Sequence, residues 1–267
     1  MTTPTSHESG APGPEEQAAQ TPAPSRRRGP GTLLFVVLGI AVLAGGGFAV
    51  FAVRHRDAQN TLASTSIRAS GIPADVSTPL ANLMSLSPIP GTQAPGFNLV
   101  DQHGRAMSLQ SLRGRVVVLE FMDPHCTDIC PIVSQEFVDA YHDLGKTASH
   151  VAFVAVNVNQ YFRTPAVLAQ FSAEHGLDTI PSWQFGTGPV AALQSVWHDY
   201  GVEVEAPHPN ADIVHSSLVY FIGPNGKERY LASPTDDHTK SGIAYLPAGQ
   251  ISSWGQGIAL VARSLAG

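Results

Sequence analysis

The chain has 267 residues, of which 43% are hydrophobic and 13% are charged, and this length suits one or two globular domains. Its formal net charge of −6 and the lack of a basic stripe argue against nucleic-acid binding. Residues 1–30 consist mainly of Thr, Pro, Ser, Ala, Gly and Glu with few apolar side chains, so we predict a disordered cytoplasmic tail.

The next segment, residues 31–53, is apolar and predicts a transmembrane helix. A helix of residues 32–53 spans roughly 33 Å, which is enough to cross a bilayer and longer than the apolar part of a typical cleavable signal peptide. Three arginines precede it at residues 26–28, and Arg54 and Arg56 follow it. This balance favours a single-pass cell-membrane protein with a cytoplasmic N-terminus and an extracytoplasmic C-terminal domain. A twin-arginine export signal is an alternative, but the rest of that motif is poor.

Residues 54–90 are rich in Ser, Thr, Ala and Pro over most of their length, and we predict that they form a flexible linker. Residues 91–267 then amount to about one domain. Within them, apolar β-branched runs alternate with segments of helical periodicity, and the sequence Gly223-Pro224-Asn225-Gly226 predicts a hairpin turn. This order predicts an α/β fold with a mixed central sheet flanked by helices.

The predicted elements follow in chain order. The expected strands are Phe97–Leu99, Val116–Phe121, Val151–Val158, Trp183–Phe185, Ser217–Ile222 and Glu228–Leu231. The expected helical segments are Met107–Leu112, Pro131–Leu144, Ala166–His175, Val190–Tyr200 and Ile251–Leu265.

The two cysteines of the chain, Cys126 and Cys130, lie where the strand Val116–Phe121 gives way to a helix. Pro131 suits the first turn of a helix and disfavours helical backbone at the residue before it, so we expect Cys130 at the start of the helix rather than inside it. The positive end of the helix dipole favours thiolate there. Two inert buried cysteines, or one structural disulfide, are the alternatives to a chemical role.

A soft metal such as copper prefers thiolate and imidazole ligands, and the chain has eleven histidines to supply a third ligand. Most of them fall on predicted helices or in turns, and His208 and His238 lie in polar loops, which makes them weak candidates. His215 differs because it ends a long loop and immediately precedes the predicted strand Ser217–Ile222. If that strand pairs beside Val116–Phe121, His215 starts near the cysteine turn, at the sheet edge where α/β proteins bind ligands.

These features resemble the Sco/SenC family of membrane-anchored, thioredoxin-like copper proteins, and the resemblance covers roughly residues 94–265. The matching motifs are Ala94-Pro95-x-Phe97-x-Leu99-x-Asp101-x-x-Gly104, Leu112-x-Gly114-x-Val116-Val117, Cys126-x-Asp128-Ile129-Cys130-Pro131, Gly201-Val202 and His215-Ser216 leading to Tyr220-x-Ile222-x-Pro224-x-Gly226. The chain departs from the family at two positions. Thr127 stands where many members have proline, and Val214 stands where many have an acidic residue.

The resemblance implies a thioredoxin-like fold and a copper site formed by Cys126, Cys130 and His215, for Cu(I), Cu(II) or both. It also implies a metallochaperone that delivers copper to the dinuclear copper centre of cytochrome c oxidase. The expected partners are the copper-bearing subunit of that oxidase and other copper carriers or thiol reductants. A disulfide between Cys126 and Cys130 would remove two ligands, so the thiol redox state would control copper loading.

Other functions remain open at this point. One is an exported, membrane-anchored thiol–disulfide oxidoreductase in which Cys126 attacks and Cys130 resolves without any metal, so the sequence leaves open whether the chain is an enzyme. Another is a peroxidase of the peroxiredoxin type. That class requires a Thr/Ser-x-x-Cys turn and a catalytic arginine, and the residues just before Cys126, Pro124 and His125, do not supply them.

Overall fold

The strand Val116–Met122 (β4) lies near the middle of a six-stranded mixed sheet and is buried along its whole length. The computed structural model describes residues 70–267. All seven side chains of β4 are buried because helices cover both faces of the sheet, which explains why the strand is apolar on both sides.

The helices and strands of the described residues follow in chain order. The strands are β1 (Ser87–Pro88), β2 (Asn98–Val100), β3 (Ala106–Ser108), β4 (Val116–Met122), β5 (Val151–Asn157), β6 (Gln184–Gly186), β7 (Val204–Glu205), β8 (Val214–His215), β9 (Val219–Ile222), β10 (Glu228–Ala232), β11 (Asp237–His238) and β12 (Ala244–Tyr245). The α-helices are α1 (Thr78–Leu83), α2 (Ile129–Leu144), α3 (Pro165–Glu174), α4 (Val190–Asp199) and α5 (Ala248–Ala266), and short 3-10 helices occupy Leu109–Leu112, Gly145–His150 and Leu177–Thr179.

The strand order of the main sheet is β1-β10-β9-β4-β5-β6. Strands β4, β5 and β6 run parallel, whereas β9 is antiparallel to β4, with Leu119 opposite Tyr220. A tight turn joins β9 to β10, and in it Gly226 adopts a φ of 74° that a residue with a Cβ rarely adopts. The mixed sheet flanked by helices that the sequence predicted is therefore confirmed.

Alternate residues of β4 face the two apolar layers. Val116 and Val118 belong to the layer that also contains Phe137 of α2 and Trp254 of α5. Their neighbours Val117 and Leu119 belong to the other layer, with Leu193 and Trp197 of α4. Helices α2 and α5 approach closely at Gly255, where an added Cβ would lie 2.6 Å from the Cβ of Asp139.

The predicted linker extends too far along the chain. Residues 70–90 contain helix α1 and strand β1, and β1 pairs with β10 at the edge of the sheet. Val76 and Met84 are fully buried, so this segment forms part of the core rather than a tether. Most of the polar and proline residues that suggested a linker are exposed, and Ser77 caps α1.

Two further expectations need comment. Met107–Leu112 was predicted as a helical turn, but its beginning lies in the β2–β3 hairpin and a 3-10 helix occupies only Leu109–Leu112. Within residues 70–267, no helix combines the length and apolar character required to cross a bilayer. The predicted transmembrane helix at residues 31–53 and the predicted tail at residues 1–30 lie outside the described residues.

Candidate metal centre

The cysteine turn begins at Asp123, directly after β4. The backbone N–H of His125 donates to Oδ1 of Asp123 at 2.9 Å, and the backbone N–H of Cys126 donates to the Asp123 carbonyl at 3.1 Å. The side-chain amide of Asn159 also donates to Oδ1 at 2.8 Å. Because a buried carboxylate needs such partners, these bonds hold the turn in one conformation.

Helix α2 begins with both cysteines at its N-terminal end. Asp128 is the N-cap residue, so Cys130 lies in the first turn of the helix. The expectation that Cys130 lies at the start of the helix is confirmed, and Pro131 is accommodated in the first turn because its missing N–H would have no intrahelical partner there. The backbone N–H of Cys130 donates to Sγ of Cys126 at 3.4 Å, which places that sulfur where a capping oxygen usually sits.

The two thiols are reduced and differ in acidity. A hydrogen bond from the Cys130 side chain lowers the pKa of Cys126, because it stabilises the thiolate more than burial disfavours it. The same hydrogen bond, together with burial, raises the pKa of Cys130 well above its ordinary value. The partly exposed Cys126 is thus the more acidic thiol of the pair, and the buried Cys130 is the less acidic one.

His215 lies in β8, which pairs with β7 so that His215 stands opposite Val204. Its Nδ1 is 3.1 Å from the carbonyl oxygen of Ser216, and we therefore assign the ring proton to Nδ1. Burial lowers the pKa of His215 below its ordinary value. A neutral imidazole with Nδ1–H held by a carbonyl leaves the Nε2 lone pair for a metal ion.

The structure places His215 at the same sheet edge as the cysteine turn. The expectation that its following strand pairs beside β4 is confirmed, and the Asp123 charge acts on both Cys126 and His215. The three candidate ligands nevertheless do not form a preassembled set. Within residues 70–267, three ligand atoms of His, Cys, Asp or Glu lie within 4.8 Å of one another at another place, and that group contains none of these three candidate ligands. Two sulfurs and an imidazole are suitable ligands for copper. To coordinate the same ion, however, His215 and the cysteine turn must move closer to each other.

A polar network behind the site was not anticipated from the sequence. Asn157 ends β5, and its side-chain oxygen accepts from the Asn159 backbone N–H at 2.7 Å. The side-chain oxygen of Asn159 in turn accepts from the backbone N–H groups of Tyr161 and Phe162. Polar residues immediately after the buried runs of β4 and β5 were the available signal, because the carboxyl ends of parallel strands meet at one edge.

Two buried glutamates lie on the elements that flank the cysteine turn, Glu120 on β4 and Glu136 on α2. Ser217 donates to Oε1 of Glu120 at 3.0 Å, whereas Oε2 of Glu120 and both carboxyl oxygens of Glu136 have no hydrogen-bond partner within residues 70–267. Burial raises the pKa of Glu120 to about 8 and that of Glu136 to about 9, the charge of Glu120 adding to the second shift. The Glu120 charge also contributes to the raised pKa of Cys130, so this carboxyl belongs to the surroundings of the site.

An open groove with a volume of about 680 Å³ runs beside Cys126 towards α3. The ring of His125 stacks on Phe162 with centroids 3.8 Å apart, and both residues line the groove. The ring of His125 therefore forms part of the groove wall. The groove therefore opens beside the partly exposed Cys126.

Comparison with known proteins shows the family. The SCO1/SenC family model matches residues 90–244, more than half of the chain. A SCO1 protein homolog from Bacillus subtilis (strain 168) is 28% identical over 136 residues, which cover 49% of this chain and 68% of that protein. Alignments with other curated relatives span smaller shares, down to 44% of the mitochondrial SCO2 protein of Saccharomyces cerevisiae.

Two solved structures share the fold. A SCO1/SenC family lipoprotein from Bacillus anthracis str. Ames gives a TM-score of 0.53 at 22% sequence identity, covering 68% of this chain and 98% of that chain. Bradyrhizobium japonicum ScoI with copper bound gives 0.50 at 21% identity, covering 65% of this chain and 99% of that chain. Because the family model matches more than half of the sequence and contains both cysteines and His215, this chain belongs to the SCO1/SenC family.

Proposed function

We propose that this protein is a copper chaperone that binds one copper ion through Cys126, Cys130 and His215 and delivers it to cytochrome c oxidase. The observation that carries the proposal is the donor set at one sheet edge. Two free thiols lie at a helix N-terminus, where the backbone N–H of Cys130 donates to Sγ of Cys126, and the imidazole of His215 lies on the strand segment leading into β9 with Nδ1 3.1 Å from a carbonyl oxygen. Family membership and the copper bound to the related ScoI support copper as the cargo.

Copper binding depends on which of the three ligands must first lose a proton. Binding as two thiolates requires the release of the proton on Cys130, whereas His215 needs no deprotonation because burial keeps its ring neutral. Three protein ligands leave a side of the ion open, which allows an acceptor's ligand to enter before a donor leaves. Two thiolates favour Cu(I), and the imidazole extends the set to Cu(II).

We further propose that residues 31–53 anchor the chain in the cell membrane, with the copper-binding domain on the extracytoplasmic side. The apolar length of that segment and its flanking arginines support this topology. Such an anchor would keep the domain close to a membrane-embedded oxidase, whose copper-bearing subunit is the expected acceptor.

Copper titration of the reduced full-length chain tests the site. We expect sulfur-to-copper charge-transfer absorption that saturates at one copper per chain, and an affinity for Cu(II) that falls by roughly two orders of magnitude or more in His215→Ala. The matched control is His208→Ala, an exposed histidine of the neighbouring loop. Normal copper affinity in His215→Ala would show that the three-ligand site is wrong.

A thiol–disulfide oxidoreductase is the second candidate, favoured by the lowered pKa of Cys126 and the groove beside it. In that reaction the Cys126 thiolate attacks a partner disulfide and one partner thiolate leaves. Cys130 then attacks Cys126, so the partner is reduced by two electrons and a Cys126–Cys130 disulfide forms. This activity does not require His215, and undiminished reduction of a model disulfide by His215→Ala, together with normal copper affinity, would favour it over the chaperone.

A further inference from the structure

A second group of metal-ligating side chains lies beside the cysteine turn. Asp128, Asp236 and His238 each offer a ligand atom, and these atoms all lie within 4.8 Å of one another. Nε2 of His238 is 3.1 Å from Oδ1 and 3.3 Å from Oδ2 of Asp128, and 3.6 Å from Oδ2 of Asp236. One imidazole nitrogen thus faces two carboxylates, although His238 looked like an ordinary loop histidine in the sequence.

The side chain of Asp128 is turned towards this group rather than towards its own helix. Aspartate at an N-cap normally accepts a hydrogen bond from the backbone of the first turn. Asp128 occupies the N-cap of α2 yet makes no side-chain capping bond, because Sγ of Cys126 accepts from the Cys130 backbone instead. The carboxylate of Asp128 is therefore not used by the helix end and faces His238 instead.

One oxygen of the second carboxylate is enclosed without a hydrogen-bond partner within residues 70–267. Oδ2 of Asp236 has almost no exposed surface and, within the part of the chain that the structure describes, accepts no hydrogen bond. Its nearest basic atom is Nε2 of His238 at 3.6 Å, which is too long for a hydrogen bond. Two carboxylates against one imidazole leave an excess of negative charge, and a cation at the centre would satisfy all three groups.

The ligands lie on segments that tertiary contacts hold in place. His238 lies in β11, which pairs with β12 so that His238 stands opposite Ala244. The backbone N–H groups of Thr239 and Gly242 close the hairpin turn with bonds of 2.9 Å, and β12 packs against α2. The group therefore joins a closed hairpin to the start of α2 rather than lying on an unsupported loop.

We propose that Asp128, Asp236 and His238 form a second metal site, which binds Cu(II). One imidazole and two carboxylates are nitrogen and oxygen donors, and for such sites Cu(II) binds most tightly among the first-row divalent ions. The site differs in ligand chemistry from the thiolate pair, which favours Cu(I). Since Asp128 lies between Cys126 and Cys130 in the chain, an ion held here is adjacent to the cysteine turn. The exposed positions of His238 and Asp128 leave the ion open to exchange with solvent and with other carriers.

The test uses the full-length chain with Cys126→Ser, Cys130→Ser and His215→Ala, which removes the three ligands of the proposed chaperone site. Cu(II) is titrated in and followed by calorimetry and electron spin resonance. We expect one Cu(II) per chain with a spectrum of nitrogen and oxygen ligands and no sulfur-to-copper band. Adding either Asp236→Asn or His238→Ala should weaken binding by roughly tenfold or more.

Matched controls are Asp237→Asn and His208→Ala, which change an exposed aspartate next to the site and an exposed histidine away from it. Both should leave the affinity unchanged. A second measurement does not depend on the folding of the multiple variant: His238→Ala in the otherwise wild-type chain should bind one Cu(II) fewer than the wild type. Equal binding with and without His238, in either background, would overturn the proposal. The outcome is independent of whether the thiol site holds copper.

Discussion

The backbone N–H of Cys130 points at the sulfur of Cys126 across a distance of 3.4 Å, so one cysteine of the pair caps the helix that carries the other. This relationship makes the two thiols unequal. The sulfur at the helix end is stabilised as a thiolate by the helix backbone and by the second thiol, while the buried sulfur retains the proton.

The first prediction concerns this asymmetry. Replacing Cys130 by alanine removes the thiol hydrogen bond that contributes most to the lowered pKa of Cys126, so that pKa should rise. Each unit of increase lowers the rate of alkylation by iodoacetamide at about pH 7 by about tenfold. Thr127→Ala, which changes an exposed residue of the same turn, should leave the rate unchanged. An undiminished alkylation rate in Cys130→Ala would contradict the assignment of Cys130 as the hydrogen-bond donor to Cys126.

The buried glutamates predict a dependence of stability on pH. The pKa of Glu136 is 4.5 in the unfolded chain and about 9 in the folded protein, so between these values the folded state holds a proton that the unfolded state has released. The free energy of unfolding should therefore fall as the pH rises through this range. Glu120, with a pKa of about 8, acts in the same direction.

Glu136→Gln should raise the free energy of unfolding by about 1–3 kcal/mol at about pH 8 and by less at about pH 5, because glutamine carries no charge to desolvate. Urea denaturation of the full-length chain at both pH values measures this difference. Glu205→Gln, at an exposed position, provides the comparison. An equal effect of Glu136→Gln at the two pH values would show that its carboxyl is not held protonated.

Asn159 is predicted to position the cysteine turn. Its amide donates to Asp123 at 2.8 Å, so Asn159→Ala would leave a buried carboxylate with one partner fewer and free the loop that contains Tyr161. We expect a loss of stability of about 1–3 kcal/mol and a copper affinity below that of the wild type. Asn98→Ala, on the exposed side of β2, should change neither quantity. Full copper affinity and full stability in Asn159→Ala would show that the conformation of the cysteine turn does not depend on Asn159.

The fourth prediction tests the extended boundary of the folded domain. Met84 is fully buried and packs against α5 near Gly257, so Met84→Ala should lower the free energy of unfolding by about 2–5 kcal/mol. Asn82→Ala, two residues earlier on the exposed side of α1, should change it by no more than about 0.5 kcal/mol. Similar free energies of unfolding for the two variants would show that residues 70–90 act as a linker and not as part of the folded domain.

Periodicity alone identified most of the elements. The apolar runs of β4 and β5 and the helical spacing of α2 and α5 are long and regular enough to be recognised without tertiary information. It failed for residues 70–90, where Ser, Thr and Pro separate the buried side chains of Val76 and Leu80. A short helix whose apolar face is completed by other elements carries too few residues to show a period.

The sequence by itself determined the family to which the chain belongs, and it singled out the two cysteines and His215 as the candidate ligands. Tertiary structure alone decided which groups surround them: Asn159 on Asp123, Glu136 near Glu120, and His238 against Asp128. The physical reason is that a residue's neighbours along the chain are written in the sequence, whereas partners tens of residues away meet only when strands and helices pack. The charge and proton balance of the site depends on those distant partners.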